Sequence, residues 1–207
     1  MVMNIIGSIT EELQEVFVKE LNEITSCNPT SIDIYLDSSG GNSFVSDAMA
    51  DMITEVNKQI PVTLIATGNV MSAAFTLLFN SVCQKKVLDN CIGMYHKGKI
   101  DCELYDGNIF DREDTKKRKY ALARELVNEE FIERIGLTEK EIKQYKKNKD
   151  VFFMPERMKE LIEKDVNRVS FGEPFMEVKY YDHEGNLVTS KVPYESSNNN
   201  SSTSRPV

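Results

Sequence analysis

Three short segments of this 207-residue chain carry residue types that could make and break a covalent bond. The first is Gly68-Asn69-Val70-Met71-Ser72-Ala73-Ala74, where an apolar strand gives way to a turn and a serine stands at a helix start. A nucleophilic serine needs such exposure, with small neighbours that leave room for an acyl group, and a helix N-terminus favours negative charge nearby. The same position also reads as a plain N-cap, a common job for serine. The second is Ser39-Gly40-Gly41, where two glycines allow a substrate to approach the main chain and expose an N–H to an oxyanion. By itself it is also a tight turn. The third is His96 in Ile92-Gly93-Met94-Tyr95-His96-Lys97-Gly98, at the end of an apolar strand. Of the two histidines, His183 falls in a polar hairpin turn, so His96 is the candidate base near neutral pH. A single strand-end histidine is otherwise more often structural.

These segments need elements to hold them. Met3–Ile6 reads as a short strand broken by Gly7, Ser8 and Thr10, and Glu11 and Glu12 suit the positive end of a helix. Leu13, Val16, Phe17, Leu21 and Ile24 make one face of that helix. Ile32, Ile34 and Leu36 mark a buried strand. Asp37–Ser43 reads as a glycine turn, and Val45, Ala48, Met49, Met52, Ile53 and Val56 form the apolar stripe of the next helix. Val62–Ala66 is a strand, Thr67-Gly68-Asn69 a turn and Ser72–Val82 a helix; Lys86–Leu88 and Ile92–Tyr95 are short strands. Strands alternating with helices predict an α/β layered domain.

Residues 111–149 form a charged arm with a helical stripe at Leu122, Leu126, Val127, Ile132 and Ile135, ended by Gly136. Thr138-Glu139-Lys140-Glu141 is a capping-box pattern. Pro155 opens a last helix with Met158, Leu161 and Ile162 inward. The organisation is then a domain over 1–172, a β-hairpin appendage over 173–194 and a disordered tail over 195–207.

Composition narrows the function classes. Lys plus Arg is 25 and Asp plus Glu is 33, a net charge of −8, which argues against nucleic-acid binding. There is no apolar run long enough for a membrane span and no basic-then-apolar leader at the start. Cys27, Cys83, Cys91 and Cys102 form no C-x-x-C pair, so no metal site is expected, and reduced thiols in a cytoplasm are the simple reading.

Taken together, the three segments resemble those of the Clp protease proteolytic subunit (ClpP). That family has an S-P-G-G turn after a buried strand, a nucleophile in G-x-A-A-S-M-[GA], and a histidine in an M-I-H-Q-P-like segment. The counterparts here are Ser38-Ser39-Gly40-Gly41, Gly68–Ala74 and Met94-Tyr95-His96-Lys97-Gly98, in the same order. The likeness runs over residues 3 to 170 and includes a helical handle, so the fold expected is the ClpP/crotonase-like layered one. It implies Ser72 as nucleophile, His96 as general base, and Gly41 and Ala73 as donors of the oxyanion hole. The family's acid lies in a D-x-F segment, which gives Asp150, with Asp165 as the alternative. The resemblance also implies a serine endopeptidase without cofactor, assembled as a heptamer or double heptamer. Its substrate would be peptide or unfolded protein, and an AAA+ unfoldase is a possible partner. Departures are Ser39 in place of proline, Lys97-Gly98 in place of Gln-Pro, a start close to the first strand, and the hairpin after residue 172. Lys97 would disfavour a charged imidazole if its ammonium pointed inward. Other roles for the same fold are a phage capsid or scaffold maturation protease and a non-catalytic assembly subunit. An acyl-CoA enzyme of the crotonase kind suits a serine and histidine pair less well.

Overall fold

Ile32, Ile34 and Leu36 alternate with half-buried residues and are themselves fully buried, which makes their strand the spine of a sheet covered on its apolar face. The computed structural model describes residues 1–98, 128–165 and 167, and the two strands Phe175–Tyr181 and Leu187–Pro193. The expected helical stripe at Leu122, Leu126 and Val127, Cys102, His183 and the tail over 195–207 lie outside the described residues.

The chain divides into two compact units, Met1–Val169 and Ser170–Val207. In the first, strands β1 (Val2–Ile9), β2 (Ile32–Gly41), β3 (Val62–Met71), β4 (Gln84–Val87), β5 (Ile92–Tyr95) and β6 (Val151–Phe153) form one sheet. Its order is β1-β2-β3-β5-β6, with β4 also on β3. Every pairing is parallel except β5 with β6. Helices α1 (Glu11–Ser26), α2 (Ser43–Asn57) and α3 (Ala73–Asn80) connect the early strands, followed by α4 (128–135), α5 (Glu139–Lys146) and α6 (Pro155–Lys164). This is the α/β layered architecture expected. In the second unit, β7 (Phe175–Tyr181) and β8 (Leu187–Pro193) pair antiparallel in register from Phe175–Pro193 to Tyr181–Leu187.

Local chemistry explains most element ends. Thr10 caps α1 by accepting from the Leu13 N–H, and Asn42 caps α2 through the N–H groups of Phe44 and Val45. Thr138 and Glu141 form the reciprocal capping box of α5. Gly136, at φ +70°, closes α4, with the Leu137 N–H reaching back to the Ile132 carbonyl.

Three expectations change. β1 runs on through Gly7 to Ile9, because Gly7 at φ +91° absorbs a register shift between Ile6 and Ser8 and the strand then resumes. For the same reason β2 and β3 do not end at Leu36 and Ala66. Each continues past an irregularity to Gly41 and Met71, so Ser38–Gly41 and Thr67–Asn69 are strand, not free turn. On α1, Phe17 and Leu21 are buried, but Val16 is 53% exposed.

A buried ion pair ties the end of the domain to the sheet. Lys85 of β4 donates to Asp165, which follows α6, and both side chains are fully buried. Burial pushes the Lys85 ammonium below its ordinary value, while the Asp165 carboxylate acts the other way. The Asp165 carboxylate also accepts from the Asn167 N–H. Breaking such a pair leaves one uncompensated charge in the core. Lys85→Ala should therefore cost about 3–5 kcal/mol in urea unfolding. Lys85→Met combined with Asp165→Leu should recover most of that loss.

Candidate active site

Strand register decides where the candidate residues meet. β5 pairs parallel with β3, setting Met71 beside Met94, and the Ser72 N–H donates to the Met94 carbonyl at 2.8 Å. On its other side β5 runs antiparallel to β6, with Gly93 opposite Phe153, Met94 opposite Phe152 and Tyr95 opposite Val151. One step further along that register places His96 opposite Asp150. The side chains follow: His96 Nε2 lies 2.8 Å from Ser72 Oγ, and His96 Nδ1 lies 3.4 Å from Asp150 Oδ1. The imidazole is 34% exposed and the Asp150 side chain 53%. Asp165 is engaged with Lys85 in the core.

Ser72 is held in an unusual conformation. Its φ is +53° and ψ −119°, and its side chain makes no cap hydrogen bond to α3. The N-cap role that serine often plays is therefore not what the side chain does here. A strained strand-to-helix turn carrying a half-buried serine is the geometry that hydrolases use to present a nucleophile.

The neighbouring main chain is fixed by buried hydroxyls. Ser38 Oγ accepts from the Gly40 N–H at 3.0 Å, which takes that donor out of play and leaves Gly41 as the next N–H along the strand end. Ser46 of α2 donates to the Ala73 carbonyl at 2.6 Å, and Thr76 donates to the same oxygen at 2.9 Å. Ala73 thus sits anchored at the first turn of α3, where leading N–H groups have no partner inside the helix. A Cβ on Gly40 would lie 2.7 Å from both the Met71 carbonyl oxygen and Ser72 Cβ, so β2 packs directly on the serine turn. Asp37 completes the frame by accepting from the Asn69 N–H at 2.8 Å.

The Lys97 ammonium lies over the Tyr145 ring, 5.7 Å from the centroid. Tyr145 in turn stacks on Tyr95, with centroids 5.2 Å apart and planes 4° from parallel. Among the described residues no three His, Cys, Asp or Glu side chains converge as metal ligands, and no helix is long and apolar enough to cross a membrane. What the arrangement can do is remove a proton from Ser72 through His96 and return it, with Asp150 facing the far ring nitrogen.

The hydrogen bonds made by Asp37, Ser38, Ser46 and Gln144 have no counterpart in the sequence reading. Their partners are distant in the chain, and serines and acids on element ends carry no local signal of such roles.

Comparison with known proteins agrees with the fold. A family model described as Clp protease matches residues 1–164. Among solved structures, the chain is similar to a point mutant of ClpP1 from Listeria monocytogenes, at 23% identity and a TM-score of 0.56. The match covers 77% of this chain and 86% of that one. No curated protein matches the sequence.

The strain at Ser72 has a measurable consequence. A non-glycine residue held in such a region costs on the order of 1–3 kcal/mol. Ser72→Gly should therefore raise the Tm, whereas Gly40→Ala, at φ +99° and against the serine turn, should lower stability by about 2 kcal/mol or more. Differential scanning calorimetry of both variants checks the pair.

Proposed function

The chain belongs to the Clp protease family, and from that premise we propose that it is a serine endopeptidase acting through an acyl-enzyme on Ser72. The observation that carries this reading is the 2.8 Å approach of His96 Nε2 to Ser72 Oγ, with Asp150 on the opposite ring nitrogen.

The steps follow from that geometry. Ser72 Oγ attacks the scissile carbonyl carbon while its proton passes to His96 Nε2. The negative charge that develops on the carbonyl oxygen is received by the main-chain N–H groups of Gly41 and Ala73. Asp150 keeps Nδ1 as the protonated nitrogen and stabilises the imidazolium. The carbon–nitrogen bond breaks as His96 gives its proton to the leaving amine, leaving the acyl group on Ser72. Water then attacks the acyl carbon as His96 takes its proton; the bond from that carbon to Ser72 Oγ breaks, His96 returns the proton to Oγ, and the acid leaves.

No metal or organic cofactor takes part in these steps. The working form in this reading is a closed ring of copies, a heptamer or double heptamer as the family likeness implies. Such a ring would restrict access to extended peptide, and an AAA+ unfoldase would be the partner that supplies it. The net charge of −8 supports a peptide substrate over a nucleic acid.

A fluorophosphonate probe read by intact mass tests the chemistry. The wild type should gain one adduct. Ser72→Ala and His96→Ala should gain none, and Asp150→Asn should react about 10²–10⁴-fold more slowly. A folded, assembled wild type that takes no label would overturn the proposal.

A further inference from the structure

Asp150 is an odd partner for a positioned histidine, because half of its side chain faces solvent. Among the described residues His96 is the one side chain placed against that carboxylate, so the constraints on its main chain matter. Two constraints act there. The first is the β5–β6 ladder just described. The second comes from α5. Gln144 Nε2 donates to the Asp150 carbonyl oxygen at 2.5 Å. The Gln144 carbonyl also receives the N–H groups of Lys147 at 3.1 Å and Lys149 at 3.3 Å. Asn148, at φ +56°, turns the chain between them, and its N–H reaches the Tyr145 carbonyl at 2.9 Å. This is the double hydrogen-bonded helix ending that a left-handed residue permits. It delivers the chain to Asp150 in one geometry.

The adjacent residue of α5 reaches the other half of the pair. Tyr145 is buried and stacks flat on Tyr95, the residue immediately before His96. Tyr95 is itself held through its hydroxyl, which donates to Asn128 Oδ1 of α4 at 3.2 Å. Two consecutive residues of one short helix therefore grip the main chain of the acid and the strand end of the base. The helix is anchored in turn by Arg157, whose guanidinium meets Glu141 at 2.8 Å and the Gly136 carbonyl at 3.1 Å.

We infer that α5 is the spacer that sets the His96–Asp150 separation, with Gln144 and Tyr145 as positioning residues. This inference rests on the peptidase reading for its kinetic consequence, but not for its structural one. Gln144 does not touch the reacting atoms. It acts by holding the acid beside Nδ1, 3.4 Å away, where its charge favours the tautomer protonated on Nδ1 and leaves Nε2 to accept from Ser72.

The test uses the full chain and two substitutions at Gln144. Gln144→Met keeps length and loses the donor, while Gln144→Lys keeps an N–H donor at similar reach. Urea midpoints establish that both are folded. The tautomer of His96 is read from ring ¹⁵N shifts in histidine-labelled protein at pH 8, with His183→Gln assigning the second imidazole. Gln144→Met should convert a single Nδ1–H form into a mixture, and Gln144→Lys should restore it. With the fluorophosphonate probe, Gln144→Met should lower kinact about 10- to 100-fold with KI within twofold. Combined with Asp150→Asn it should fall no further than Asp150→Asn alone. An unchanged tautomer, a loss confined to KI, or losses that multiply in the double variant would each overturn the inference. If the wild type takes no label yet the tautomer shifts in Gln144→Met, the peptidase reading fails and the spacer role stands.

Discussion

One four-residue strand holds the site together. β5 supplies a parallel edge to β3 and an antiparallel edge to β6, and among the described residues no other strand of the sheet makes both kinds of pairing. The parallel side fixes the height at which Ser72 leaves β3. The antiparallel side fixes which residue faces His96. A slip of one residue on either side would turn every side chain to the opposite face. Gly93 leaves room for α6 to pack closely: a Cβ there would fall 2.3 Å from Met158 Sδ. Behind it, Phe75 stacks with Phe153 at 5.1 Å and with Tyr95 at 5.6 Å, which couples α3, β5 and β6 through rings instead of loops.

The sheet also shows how strain is distributed. Positive φ values at Gly7, Gly40, Gly41 and Gly68 let the strands bend past their first register and carry on to the site. Glycine absorbs that geometry at little steric cost. Ser72 does so without glycine's freedom, and the surrounding bonds from Ser38, Ser46 and Asp37 hold it there. A conformation that costs energy persists only where its neighbours over-determine it.

Much of this was legible in the sequence, and the boundary is physical. Periodicity revealed α2, with Val45, Met49 and Ile53 buried, because an amphipathic stripe is a local signal. Ile92–Tyr95 was readable as a strand, and Thr138 as a cap, for the same reason. Ser72 and His96 stood out by their placement at element ends. What stayed hidden is non-local. Val151–Phe153 is too short to carry a period of its own and is a strand only because β5 is there to pair with it. Lys85 and Asp165 are 80 positions apart, and no rule of spacing joins a lysine on one strand to an aspartate past a distant helix. The continuation of β2 and β3 past their irregularities was missed because Gly and Asn within a strand read as turn residues.

The antiparallel strand carries a consequence in time. Tyr95 pairs with Val151, so the whole arm between them must be synthesised before β6 exists to dock. The serine and the histidine lie in the part of the chain that is made early. The aspartate that faces the histidine comes with the last strand of the sheet and has the longest loop to close. A chain cut short before β6 therefore has Ser72 and His96 but no aspartate beside the imidazole. Folding order itself leaves the three-residue arrangement unfinished until the domain is complete.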